Sequence, residues 1–103
     1  MISRRILPSR RKHELLSFEH GGIGYTVGVG RFPNGDLAEI FLDCDRRGSA
    51  AEIGARDCAV LASLCLQHGV GVGTIQHALV KLAEGSGAGP LGKALDMIGA
   101  ATS

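Results

Sequence analysis

Tryptophan is absent from this sequence of 103 residues, and one Tyr and three Phe are its only large aromatic side chains. So few rigid rings exclude a single-strand binder that stacks bases on aromatic platforms, and they leave the core to aliphatic side chains. An excess of one charge is lacking too: eleven Lys and Arg stand against ten Asp and Glu, a formal net charge of +1. No overall field gathers nucleic acid or anionic membrane, so any such binding must be local. No run approaches the roughly eighteen apolar residues of a membrane span. Cysteine is scarce and odd in number, three residues in all. Ser3, Arg4 and Arg5 imitate the start of a twin-arginine leader, but residues 9–14 are polar where an export signal needs an apolar run. Together these point to a reducing compartment, the cytoplasm. The length suits one ordinary domain and excludes a second.

What is present is organised in two parts. Arg4, Arg5, Arg10, Arg11 and Lys12 crowd the first twelve positions around Pro8 with no helical or strand period, which reads as a basic flexible arm, 1–12. The remainder, 13–103, carries a charge of about −4 and reads as a single α+β domain. Its first third alternates at period two. Residues 14–20 form a short strand, Gly21 and Gly22 a turn, and residues 23–32 a second strand with Ile23, Tyr25, Val27 and Val29 on one face. Pro33, Asn34, Gly35 and Asp36 supply hairpin chemistry. The returning strand, 37–44, puts Ala38, Ile40, Leu42 and Cys44 on one face. A three-stranded antiparallel meander over 14–44 follows. Gly24, Gly28 and Gly30 share the other face of the middle strand, where close helix packing is expected and room for a ligand is the alternative.

After Gly48 the period becomes 3.6. Ser49 and Glu52 fit the S-x-x-E capping box, opening a helix over 50–68 with Ile53, Val60, Leu61 and Leu64 as its inward stripe and Gly69 as its stop. Thr74 caps a second helix, 74–84, with Ile75, Ala78, Leu79 and Leu82 on one face, and Pro90 opens a third, 90–100, with Leu91, Ala94, Leu95 and Ile98 inward. The three helices should pack on one face of the meander.

Signatures of catalysis are missing. Gly22, Gly24 and Gly28 miss the dinucleotide spacing, Gly69, Gly71 and Gly73 follow a helix rather than a strand, and there is no P-loop. Cys58 and Cys65, seven residues apart on one helix, are about 10 Å apart by helical rise and cannot form a disulfide with each other. His68 continues their row, but no C-x-x-C or H-x-x-x-H pattern accompanies it, so the cysteines read as buried small apolar residues, with no metal. Asp57 falls at the edge of the helical stripe, and the sequence leaves open whether it and His68 are functional or structural. No catalytic residue is assigned. The one place where anion-attracting groups converge is Arg46, Arg47, Gly48 and Ser49, at the positive end of the longest helix. These four are the candidate nucleotide or phosphate site, against the alternative of a helix cap flanked by arginines paired with Asp43 and Asp45.

The runs Tyr25-Thr26-Val27-Gly28-Val29-Gly30, Leu37-Ala38-Glu39-Ile40-Phe41-Leu42, Arg47-Gly48-Ser49, Ala55-Arg56-Asp57-Cys58-Ala59-Val60-Leu61-Ala62-Ser63-Leu64, Leu66-Gln67-His68-Gly69 and Gly89-Pro90-Leu91-Gly92-Lys93-Ala94-Leu95-Asp96 resemble a stand-alone TSCPD domain. That module also occurs at the C-terminus of vitamin B12-dependent (class II) ribonucleotide reductases. The likeness covers about residues 13–98, without the Thr-Ser-Cys-Pro-Asp string or the paired cysteines of a reductase tail. It implies a small non-catalytic accessory or regulatory module in deoxyribonucleotide metabolism, acting through protein interaction or nucleotide binding. The partner it implies is a ribonucleotide reductase subunit, another protein, or a second copy of the chain. No cofactor belongs to this chain, and adenosylcobalamin enters only by association with the reductases. The alternative is a helix-turn-helix-like nucleic-acid module using the helix pair 50–84 and the basic arm, which the net charge of −1 over that pair disfavours.

Overall fold

The computed structural model describes residues 13–102, and the basic segment 1–12 lies outside the described residues. Alternating side chains produce three strands, β1 (His13–His20), β2 (Ile23–Arg31) and β3 (Leu37–Cys44), in one antiparallel sheet ordered β1-β2-β3. The second turn uses the expected residues. Gly35 N–H donates to the Phe32 carbonyl at 2.9 Å, Phe32 N–H to the Asp36 carbonyl at 2.8 Å, and Asn34 Oδ1 accepts from Asp36 N–H at 3.0 Å. Three helices follow: α1 (Ala50–Gln67), α2 (Val72–Ala78) and α3 (Pro90–Thr102).

Tyr25, Val27 and Val29 of β2 and Ile40, Leu42 and Cys44 of β3 share a buried cluster with Leu91, Ala94, Leu95 and Ile98 of α3, and Ala38 is buried on the same strand face, as their periods require. The register pairs Phe18 with Tyr25, and their rings stack at 5.4 Å.

The face α1 turns inward differs from the expected one. Its buried residues are Glu52, Ala55, Ala59, Ala62, Leu66 and Gln67, while Ile53, Val60, Leu61 and Leu64 lie outside. The reason is the site it occupies beside β3. Ser63 Oγ accepts from Ile40 N–H at 2.8 Å and donates to the Ile40 carbonyl at 3.1 Å. Gln67 Nε2 donates to the Ala38 carbonyl at 3.1 Å. These bonds satisfy main-chain groups on the outer edge of β3, and a helix close enough to make them needs alanine, not leucine, on its inner side.

The second helix is shorter than expected. It starts after Gly71 rather than at Thr74 and stops at Ala78, and Lys81 then bridges to Gly87 in an extended turn. Asp96 of α3 fixes this turn, accepting from Gly87 N–H at 2.8 Å and Gln76 Nε2 at 3.0 Å. Gly87 also runs directly against α3, so a Cβ there would lie 2.4 Å from the Gly92 carbonyl carbon.

Two outcomes follow for stability. Gly87→Ala should destabilise by about 1–3 kcal/mol through overpacking against backbone, read from the denaturant midpoint, whereas Gly54→Ala, with open space around it, should not. Burial raises the phenol of Tyr25 above its usual 10.0, with the nearby Cys44 adding to the effect. In the unfolded chain that phenol ionises near its ordinary value, while the folded chain keeps its proton. Its contribution should therefore hold below about pH 10 and fall as pH rises from there, which alkaline melts of wild type and Tyr25→Phe would measure.

Candidate functional site

On the sheet face away from the helices, β2 presents Gly24, Thr26, Gly28 and Gly30. Gly28 pairs with Leu15 on one side and Phe41 on the other, and both neighbours are exposed, Leu15 at 73% and Phe41 at 50%. A Cβ at Gly28 would stand 3.3 Å from Leu15 Cδ2 and 3.5 Å from Phe41 Cβ. With no side chain between them, the two apolar residues become the walls of a trough. The cavity measures about 730 Å³, opens to solvent, and reaches the start of α1 through Asp43, Asp45, Arg47 and Glu52. Helix packing over these glycines is thus a misreading: the helices cover the opposite face, where Tyr25, Val27 and Val29 give them side chains to bury.

The run Arg46, Arg47, Gly48, Ser49 stands at the N-terminus of α1. Ser49 is the N-cap, its Oγ accepting from Glu52 N–H at 3.2 Å and donating to the Arg46 carbonyl at 2.6 Å. Glu52 answers as the box requires but one residue earlier, its Oε1 accepting from Gly48 N–H at 2.9 Å. The buried carboxylate of the chain itself therefore sits on the positive end of the helix. Both arginines are exposed, and Arg47 lines the trough. The cation beside Asp43 is Arg56, with Nε 4.0 Å from Oδ1, rather than Arg46 or Arg47. Against the single positive charge of Arg47, the trough carries the carboxylates of Asp43, Asp45 and Glu52. Its volume is in the range of small-molecule sites, smaller than a group such as adenosylcobalamin would fill.

The turned helix corrects the reading of the cysteines. Cys58 and Cys65 are exposed, and Cys44 is the buried thiol. His68 is held by its own helix, Nδ1 donating to the Leu64 carbonyl at 2.8 Å, and Asp57 is exposed beside the outer apolar residues. Among the described residues no three His, Cys, Asp or Glu side chains converge to hold a metal, and no helix is long and apolar enough to cross a membrane. Leu15 and Phe41 escaped sequence reasoning as site residues. Their signal was a large apolar residue on the face that alternation assigns to solvent.

Over 70 residues, 68% of the chain, the sequence is 34% identical to a vitamin B12-dependent ribonucleotide reductase of Bradyrhizobium diazoefficiens. The matched stretch is 6% of that reductase's length. No family model matches the chain, and neither does any solved structure. The chain contains a segment related to ribonucleotide reductase, on an α+β fold of three antiparallel strands followed by three helices.

Two measurements check this description. Cys58 and Cys65 should label rapidly with a thiol reagent in the native protein while Cys44 waits for unfolding, with peptide mapping assigning the sites. Ser49→Ala should lower the unfolding free energy by about 1 kcal/mol through the lost cap, whether or not phosphate is present.

Proposed function

We propose that this chain is a non-catalytic accessory module of the TSCPD type that acts in deoxyribonucleotide metabolism by docking onto a ribonucleotide reductase chain. The observation that carries this reading is the outer face of α1, where Ile53, Val60 and Leu61 are 57%, 58% and 63% exposed and Leu64 lies beside them at 36%. Four large apolar side chains share one exposed helix face, with Asp57 among them and Arg56 at its margin, a patch of the kind that marks an interaction surface. The kinship with a reductase supplies the occupant. In the relative, the matching stretch is a small part of a far longer chain, so a module of this kind has a reductase body against which to lay an apolar helix face. A stretch of that size does not bring a reductase's catalytic body with it, which makes binding the activity to test.

Calorimetric titration of this chain into a purified vitamin B12-dependent ribonucleotide reductase from the same organism provides that test. Binding should depend little on salt, because apolar contact carries it. Leu61→Glu should weaken it by tenfold or more while leaving the fold unchanged, since a central interface side chain is worth about 2 kcal/mol and this one is exposed in the free chain. No binding by the wild type, or equal binding by the variant, would overturn the reading.

Arg47 at the mouth of the trough favours a second reading, a nucleotide or phosphate held by Arg46, Arg47, Gly48 and Ser49. The carboxylates of Asp43, Asp45 and Glu52 oppose an anion there. Titration with nucleoside phosphates at millimolar concentration, with the Arg46→Ala/Arg47→Ala double variant as control, separates this reading from the first. A nucleotide site would give heat that the double variant loses and that falls as salt is raised.

A further inference from the structure

The two edges of the sheet are finished differently. In an antiparallel strand both main-chain groups of a residue point to one side, and the side alternates along the strand. Asp45 N–H donates to the Gly24 carbonyl, so Gly24, Thr26 and Gly28 turn their groups toward β3, and Tyr25, Val27 and Val29 turn theirs toward β1. The register then has β1 use Glu14, Leu16, Phe18 and His20 to bond β2, leaving the N–H and carbonyl of Leu15, Ser17 and Glu19 directed away from the sheet. Lys93 agrees with this assignment, its Nζ donating to the Glu19 carbonyl at 2.7 Å. On the far edge, Gln67 meets the outward carbonyl of Ala38 and Ser63 meets both outward groups of Ile40. Among the described residues, nothing meets those of Leu15 and Ser17.

We propose that β1 pairs antiparallel with β1 of a second copy of this chain, about a twofold axis at Ser17, joining the two sheets into one of six strands. Outward groups must face outward groups, so the axis passes through a residue rather than between two. With Ser17 on the axis, Leu15 stands opposite Glu19 in a hydrogen-bonded pair. On the helix-covered face Leu16 then meets Phe18, and Glu14 meets His20, each contact made twice by symmetry. Apolar meets apolar, and carboxylate meets imidazole. An axis at Leu16 would set Glu14 against Phe18, and an axis at Leu15 would set Phe18 and His20 against Lys12 and Arg10 of the sequence instead of against apolar and acidic partners. The existing bonds permit the pairing. The Glu19 carbonyl has a second lone pair beside the one Lys93 uses, and Glu14, held by Arg31 at 2.7 Å, keeps acceptor sites for an imidazole N–H. Lys93 Nζ, 5.9 Å over the Phe18 ring, lies on the face where Glu14 of the second copy comes diagonal to Phe18. The strand thus matches itself in charge as well as in shape, which selects a second copy over an unrelated extended segment.

Sedimentation of the whole chain over a range of concentrations tests this, with Ser17→Pro as the variant. Proline is tolerated in an edge strand where the lost N–H points away from the sheet, as it does at Ser17 and not at Leu16. The wild type should form a dimer, and Ser17→Pro should remain monomeric with an unchanged circular dichroism spectrum. Amide exchange on the wild type gives an independent reading. Exchange at Leu15, Ser17 and Glu19 should slow as concentration rises, while Leu16 and Phe18 stay constant. A wild type still monomeric at about 1 mM, the weak end of specific association, would overturn the proposal. So would a dimer that survives Ser17→Pro, or exchange at Leu15 and Ser17 that ignores concentration. Should Ser17→Pro fail to fold, the wild-type exchange decides alone. Leu61→Glu should leave this dimer intact, because α1 lies along the opposite edge.

Discussion

The two hydrogen-bonding side chains that α1 lends to β3 set much of what the rest of the molecule does. An edge strand left with free N–H and carbonyl groups on its buried side carries a cost of about 1–3 kcal/mol for each group. Ser63 and Gln67 remove that cost at Ile40 and Ala38. To bring them there, the helix must lie close along the strand with a small-residue face inward, and Ala55, Ala59 and Ala62 provide it. Once that face is chosen, helical geometry leaves no freedom for the other. Ile53, Val60, Leu61 and Leu64 are carried to the surface because they share a helix with two polar anchors.

The same constraint explains which parts of the structure could be read from sequence and which could not. Period two in the first third is unambiguous, because Tyr25, Val27 and Val29 have a threonine and a glycine between them; the third strand observed is 37–44, as expected. The third helix follows from Pro90 and the spacing of Leu91, Ala94, Leu95 and Ile98 for the same reason, since its largest side chains are also its buried ones. In α1 size and burial part company. Hydrophobic periodicity weighs leucine above alanine, and it has no means of registering that Ser63 and Gln67 are needed inside. The row Ala51, Ala55, Ala59, Ala62 and Leu66 was present in the sequence at helical spacing, and reading it correctly required knowing that a strand edge, as well as a sheet face, was the partner. The second helix was overextended because Leu79 and Leu82 continue its period. What ends it is the tertiary contact of Gly87 with Gly92 and the hold of Asp96 on the turn, and neither has a local signature.

The candidate site shows the same division. Ser49 and Glu52 form the cap that four residues of sequence specify, with the carboxylate landing on Gly48. That cap changes the meaning of the arginines before it. An empty helix N-terminus flanked by Arg46 and Arg47 attracts anions, but one already facing the buried carboxylate of Glu52 attracts them far less. The trough over Gly28 depends on pairing register, since Leu15 and Phe41 become opposing walls only when both strands are aligned on the same glycine. Sequence alone gave the glycine and the possibility of space; register supplied the walls.

A sheet of three strands has two edges and two faces, and in a chain this short each needs a different solution. One face is covered by α3 and the alanine side of α1, and one edge is met at Ala38 and Ile40 by side-chain hydrogen bonds. Among the described residues no helix covers the glycine face, because its central strand offers Thr26 alone as a side chain between glycines. The remaining edge, β1, has neither the bulge nor the proline that would blunt it, and a single lysine reaches one end. Apolar side chains on the outside of α1 and main-chain groups of β1 that no described residue meets therefore lie on opposite margins of the sheet. Covering one does not obstruct the other, so association through β1 and docking through α1 are compatible within a single assembly, in which Leu15 would belong both to the β1 contact and to the wall of the trough over Gly28.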